Sequence, residues 1–209
     1  MATAWQGIFV VVTNLNDKAR PGRGRPRGFD PEAALVVGQR MFHEAGYEAV
    51  GLSALTDALG IKPPSFYTAF GSKAAFFRRV LERYARTELT LAEILRPGRP
   101  PAEALADLIG RAACTYARDP ERTGCLVLEA ARGGETSESA ALAREVAESR
   151  RAQVRAFVEA THPALAGVAT DYVSVVMSGL SGCAREGMDE ARLGAVARAA
   201  AEGLYRLLA

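Results

Sequence analysis

The stretch Ser53-Ala54-Leu55-Thr56-Asp57-Ala58-Leu59-Gly60-Ile61-Lys62-Pro63-Pro64-Ser65-Phe66-Tyr67-Thr68-Ala69-Phe70-Gly71-Ser72-Lys73 decides the fold. It reads as two short helices joined by a tight turn, with a third helix starting at once. Ser53 is the expected N-cap of the first, its hydroxyl accepting from an orphan first-turn amide. Leu55, Ala58 and Leu59 then share one face at helical spacing. Gly60 stands where a left-handed C-terminal residue is wanted, and Ile61 is the apolar residue that often closes such an end. Pro64 fits the first turn of the next helix, where a missing N–H costs little. Phe66, Ala69 and Phe70 supply its buried side, which leaves Ser65, Tyr67 and Thr68 turned outward. Gly71 ends this helix and Ser72 caps the third, so Lys73 enters a first turn where the helix dipole disfavours a cation. Either Lys73 is simply solvated, or it shares an anion with the free amides beside it.

Helix, glycine turn, helix is the frame that sets a second helix in the major groove of DNA. Gly60 through Tyr67, followed by Phe70-Gly71-Ser72-Lys73, resembles the DNA-binding signature of the tetracycline-repressor-like (TetR) transcriptional regulators over about residues 29 to 80. Two positions depart from the family's habit: Lys62 stands where Ser is common, and paired prolines replace Lys-Gly or Lys-Ala. The resemblance implies that Ser53, Lys62, Pro63, Pro64, Ser65, Tyr67 and Thr68 meet DNA, with Lys73 at a phosphate. Tyr67 is then a phosphate contact through its hydroxyl, Thr68 a phosphate or base contact, and the prolines apolar surface for a thymine methyl.

Composition agrees with a folded, mostly helical chain. Of 209 residues 49% are hydrophobic, with Ala and Leu abundant and runs of Val, Ile and Thr few. The formal charge of +2 is too small to matter globally, so its distribution carries the information. Lys18, Arg20, Arg23, Arg25 and Arg27 lie among Gly and Pro with no acid between them, a segment suited to lie along a polyanion. Arg23-Gly24-Arg25-Pro26 also resembles the core of an AT-hook, whose arginines enter the minor groove. Three scattered cysteines and two isolated histidines make no zinc pattern and fit a reducing, cytoplasmic setting. No apolar run is long enough to span a bilayer.

The expected division is a flexible extension with a basic arm (1–28), a helix-turn-helix domain (29–75) and an all-α ligand-binding and dimerisation domain (76–209). Asp30-Pro31 opens a helix to about Ala45, ended by Gly46; Tyr47 braces the unit, and His43 is expected to face solvent. A long helix is expected over 72–95, then helices over 102–118, 120–132, 137–161, 163–186 and 190–208. The last two carry apolar stripes interleaved with glycines. In TetR regulators such helices pair with a twofold mate, which implies a homodimer on a palindromic operator. The middle helices would enclose a cavity for a small, largely apolar ligand, with Leu108, Ala112, Cys114, Tyr116, Cys125, Leu126, Glu129, Tyr172 and Val176 as candidate walls.

Cys125, in Gly124-Cys125-Leu126, is open to two readings: buried filler, or a thiol activated in a helix's first turn and able to sense oxidants or electrophiles. An enzyme is the other class weighed. No Gly-x-Ser-x-Gly elbow, metal set, phosphate loop or cofactor motif supports one. An architectural nucleic-acid binder working through the arm alone is the third reading.

Overall fold

The computed structural model describes residues 29–209. Arg23, Arg25, Arg27 and the rest of the expected arm lie outside the described residues. The secondary structure described is helical throughout: α1 (Pro31–Ala45), α2 (Leu52–Leu59), α3 (Pro63–Phe70), α4 (Lys73–Thr87), α5 (Leu91–Ile94), α6 (Pro101–Ala117), α7 (Leu126–Ala131), α8 (Glu138–Glu159), α9 (Ala166–Arg185) and α10 (Glu190–Leu207). Among these, no helix is long and apolar enough to cross a membrane.

Aromatic packing sets the N-terminal part. Phe42 of α1, Phe66 and Phe70 of α3, and Phe76 and Phe77 of α4 are all buried. Phe76 lies at the centre, with ring centroids 5.2 Å from Phe66, 4.6 Å from Phe70 and 6.1 Å from Phe42. Gly38 makes this possible, because a Cβ there would fall 2.4 Å from a Phe76 ring carbon. Tyr47 is the brace the sequence suggests. Its ring is 4.8 Å from Phe77 and 5.8 Å from Phe42, and its hydroxyl donates to Glu138 of α8 at 3.4 Å. Burial, then the Glu138 carboxylate, pushes that phenol up to about 12.

Pro31–Ala209 forms one compact unit. Within it α4 packs on both α1 and α8, while α6 packs against α9 and α10 and α8 lies over α7 and α9. Three expectations are corrected. The long helix over 72–95 breaks after Thr87, with Leu89 buried, before the short α5. Arg150 of α8 supplies the reason, donating to the carbonyls of Ala85 and Leu89 that a continuing helix would have occupied. The helix over 120–132 shrinks to α7, because Gly124 takes φ 77 and its amide turns back to the Tyr116 carbonyl at 2.9 Å. His43 is not at the surface: it is 6% exposed, edge-on to Tyr84 at 5.6 Å.

Candidate DNA-contacting face and ligand cavity

The turn between α2 and α3 follows from Gly60. It adopts φ 64 and ψ 30, its amide bonds to the Asp57 carbonyl, and the Ile61 amide reaches back to Thr56, both at 3.1 Å. That pair of bonds is a Schellman motif, and only glycine enters it without strain. Ser53 does not cap α2, contrary to expectation. The helix begins two residues earlier with Gly51 as its N-cap, and the Ser53 hydroxyl donates to Asp57 at 3.4 Å inside the first turns.

Lys62 is the N-cap of α3 and gives no side-chain cap bond. The paired prolines explain why none is needed. A capping oxygen takes the second or third amide of a helix. Here Pro63 and Pro64 have no amide to offer, and the Ser65 amide is already bonded to the Lys62 carbonyl at 2.9 Å. The α3 terminus therefore has few amides for a phosphate, so contacts from this helix must come from side chains. Phe66 and Phe70 anchor it, while Lys62, Pro63, Pro64, Ser65, Tyr67 and Thr68 are exposed, Tyr67 at 51%. The Thr68 hydroxyl donates to the Pro64 carbonyl at 2.8 Å, which leaves that oxygen free only to accept.

The start of α4 is arranged differently. Ser72 caps it by accepting from the Ala75 amide at 3.0 Å, so the Lys73 and Ala74 amides stay without a helical partner. The Lys73 side chain is half-buried, its ammonium 4.0 Å over the Tyr47 ring. Free amides and a held cation together favour an anion such as a backbone phosphate.

Behind this face, α4, α6, α7, α8 and α9 enclose a cavity of about 90 Å³. Leu108, Tyr116 and Cys125 line it. The other candidates do not. Ala112 and Leu126 are packed into the core, and Val176 is half-buried outside the cavity. Cys114 is exposed and donates to Glu190 of α10 at 3.1 Å. Glu129 accepts from the Ser181 hydroxyl at 2.7 Å and meets Arg132 and Arg185 at 3.5 and 3.9 Å. Tyr172 donates to the Ala200 carbonyl at 2.9 Å, tying α9 to α10. Residues missed include Tyr84, Arg150, Val154, Val173 and Met177. Arg150 had a legible signal, since it interrupts the inner stripe that Val146, Ala147 and Val154 make along α8.

Cys125 is the N-cap residue of α7, and the Val127 and Leu128 amides favour its thiolate as a helix start should. Burial outweighs them and pushes the thiol up. Activation by the helix terminus is thus overridden, and the geometry favours the filler reading. Burial likewise holds the phenols of Tyr84 and Tyr116 protonated.

The apolar residues of the last two helices divide between the chain's own core and an exposed face. Val173 and Leu180 of α9, and Leu193, Ala197, Ala200 and Leu204 of α10, are buried in the chain's own core. Val168 and Val175, seven residues apart on α9, are exposed, Val175 at 71%. On α10, Val196 and Tyr205 are exposed too.

Residues 34–80 match the family model described as bacterial regulatory proteins, tetR family. The chain is 40% identical over 190 residues to the HTH-type transcriptional repressor BdcR of Escherichia coli, covering 88% of this chain and 94% of that protein. It is 32% identical over 123 residues to the repressor ComR of Escherichia coli, covering 56% of this chain and 57% of that one. Among solved structures, a cysteine mutant of the TetR family regulator CifR, complexed with 26-bp operator DNA, superposes with a TM-score of 0.72 and 32% identity. The match spans 85% of this chain and 98% of that one.

Proposed function

The chain belongs to the tetR family of bacterial regulatory proteins, and from that footing we propose how it reads and releases DNA. It is a DNA-binding transcriptional regulator of the repressor type, not an enzyme. Two copies associate through the exposed face of α9 and α10 and set their α3 helices into successive major grooves of a palindromic operator in the cytoplasm. A small, largely apolar molecule in the cavity between α4 and α9 releases it. The observation that carries the reading is α3 itself, a two-turn helix anchored by Phe66 and Phe70 with Ser65, Tyr67 and Thr68 outward.

On this reading the Lys73 ammonium and the first amides of α4 take a phosphate, and Lys62 and the prolines lie at base edges or the flanking backbone. The basic arm of Arg23, Arg25 and Arg27 adds sequence-independent affinity. Selection from randomised DNA with the purified protein should enrich a palindrome whose half-sites are about one duplex turn apart, or a multiple of it. Recovery of no common sequence would refute the reading. Deleting residues 1–28 should lower affinity but keep palindrome selectivity, whereas an architectural binder working through the arm would lose all binding.

A further inference from the structure

The cavity has a polar end where Arg150, Tyr84, Tyr116 and the Cys125 thiol lie together. Arg150 projects there from the apolar stripe of α8. Its guanidinium donates to the carbonyl of Ala85 and, at 2.7 Å, to that of Leu89. Among the described residues it has no carboxylate partner, whereas Arg78, Arg99, Arg118 and Arg151 each have one. Helix-end carbonyls satisfy hydrogen bonds but amount to only about half a negative charge. The rest of the guanidinium fork keeps its donors.

Tyr116 is the second observation. It is 0% exposed and lines the same cavity, and its hydroxyl has the Cys125 thiol, a weak partner, beside it but no oxygen or nitrogen to bond. A buried hydroxyl left unpaired is costly, which makes it a waiting donor. Tyr84 borders the same end, and burial keeps both phenols protonated and able to donate. Two of the hydroxyls on the α9 wall are already engaged. Thr170 donates to Ala166 at 2.7 Å and Ser174 to Thr170 at 2.8 Å, each within its own helix. Leu108, Val127, Val154, Val173 and Met177 make the rest of the lining apolar.

A cation without an anion, an unpaired phenol and an apolar remainder describe one kind of ligand. We propose that the cavity takes a small organic acid, its carboxylate held by Arg150 and the Tyr116 hydroxyl and its short apolar tail lying among Leu108, Val154 and Met177. This rests on the reading of the cavity as the effector site and adds the chemical class of the effector. A neutral analogue leaves the guanidinium uncompensated, and an amine is repelled by it. Because the same guanidinium holds the end of α4, a bound carboxylate competes with the Ala85 and Leu89 carbonyls for it. The effector is thereby linked to the helix whose other end carries Lys73.

The test is calorimetric titration of the full chain with butanoate, hexanoate and octanoate, each set against the amide and the amine of equal length. At one or more lengths the acid should bind about tenfold or more tighter than its amide, the order expected when a buried cation loses its counter-ion. Arg150→Met should erase that preference, and Tyr116→Phe should weaken the acid several-fold while leaving the amide unchanged. Arg150→Lys keeps the charge where Arg150→Met does not fold, and it should retain part of the preference. Equal binding of acid and amide overturns the proposal. So does binding of none of the acids, or a folded Arg150→Met that still prefers them. Operator affinity with and without the acid separates the two readings. Tight acid binding with unchanged operator affinity upholds the ligand class and refutes release. Operator binding with no acid binding refutes the ligand class alone.

Discussion

Replacing Gly38 by alanine probes how the helix-turn-helix is held. Two effects of opposite sign meet there. Alanine in a helix interior is worth about 1 kcal/mol over glycine. Against this, the new Cβ would lie 2.4 and 2.5 Å from two Phe76 ring carbons and 3.2 Å from a Val80 methyl. Phe76 has no room to yield, being fully buried among Phe42, Phe66 and Phe70. Overpacking of this kind costs about 1–3 kcal/mol, so the net change is a loss of about 0–2 kcal/mol. For a chain of this size each kcal/mol moves Tm by about 2–4 °C. Gly110 is the matched control, because it is exposed in α6 with nothing within 4 Å of a Cβ, and Gly110→Ala should raise Tm. The two variants should differ by about 1–3 kcal/mol in denaturant unfolding. Because Phe76 supports Phe66 and Phe70, Gly38→Ala should also weaken operator binding at temperatures where it is fully folded. A Gly38→Ala protein stabilised as much as Gly110→Ala would refute this account of α1 against α4.

Other expectations follow from the same coordinates. Tyr67→Phe and Lys73→Ala should weaken binding to every operator variant alike and flatten the salt dependence; a changed base preference in either would contradict a phosphate role. Val175→Glu places a charge on the exposed α9 face, so sedimentation should show monomers and weak operator binding with the thermal melt of the subunit preserved. A dimer undisturbed by that charge would remove this face from the interface. Burial, reinforced by Arg185, holds the His43 imidazole below its ordinary 6.5. The stability it contributes is whole above pH 6.5 and is lost as the pH falls from there toward the lowered folded value, since unfolding then takes up a proton. His43→Gln should flatten Tm against pH just below 6.5. The Asp107 carboxyl, held low by its bonds to Arg111 and Arg99, titrates below that window. An unaltered slope in His43→Gln would show that another group titrates there.

What the sequence disclosed and what it hid divide along a physical line. Local chemistry was legible. Gly60, Gly71, Ser72 and the phenylalanine spacing each act within a turn or two of chain, and they define α2, the turn, α3 and the start of α4. Features set by a distant partner were not. The end of α4 at Thr87 depends on Arg150, sixty-odd residues away in α8. His43 looks like a surface residue on its helix until Tyr84 closes over it. Cavity walls were the hardest, because a residue lining a cavity and one packed in the core share the same apolar periodicity. Leu108, Tyr116 and Cys125 line the cavity, while Ala112 and Leu126 are packed in the core.

The structure also makes α4 the element on which both readings depend. Its first turn holds Lys73 over Tyr47, and Tyr47 reaches Glu138 at the start of α8. Along its length Arg78 pairs with Glu145 at 2.7 Å, and Arg83 donates to Gln39 of α1 at 2.6 Å. At its end Glu88 accepts from Gln39 and Arg118, both at 3.0 Å, and Arg150 caps the carbonyls. A shift of α4 therefore moves contacts to α1, α6 and α8 together. For an effector to act, it must bind the DNA-competent and incompetent arrangements unequally, and tight but equal binding would change nothing. Among the lining residues, Arg150 and Tyr84 are where such a difference would arise, since each belongs both to the cavity and to the packing of α4. Leu108 and Val173 touch the cavity from α6 and α9, so substituting them should change effector affinity more than the coupling to DNA.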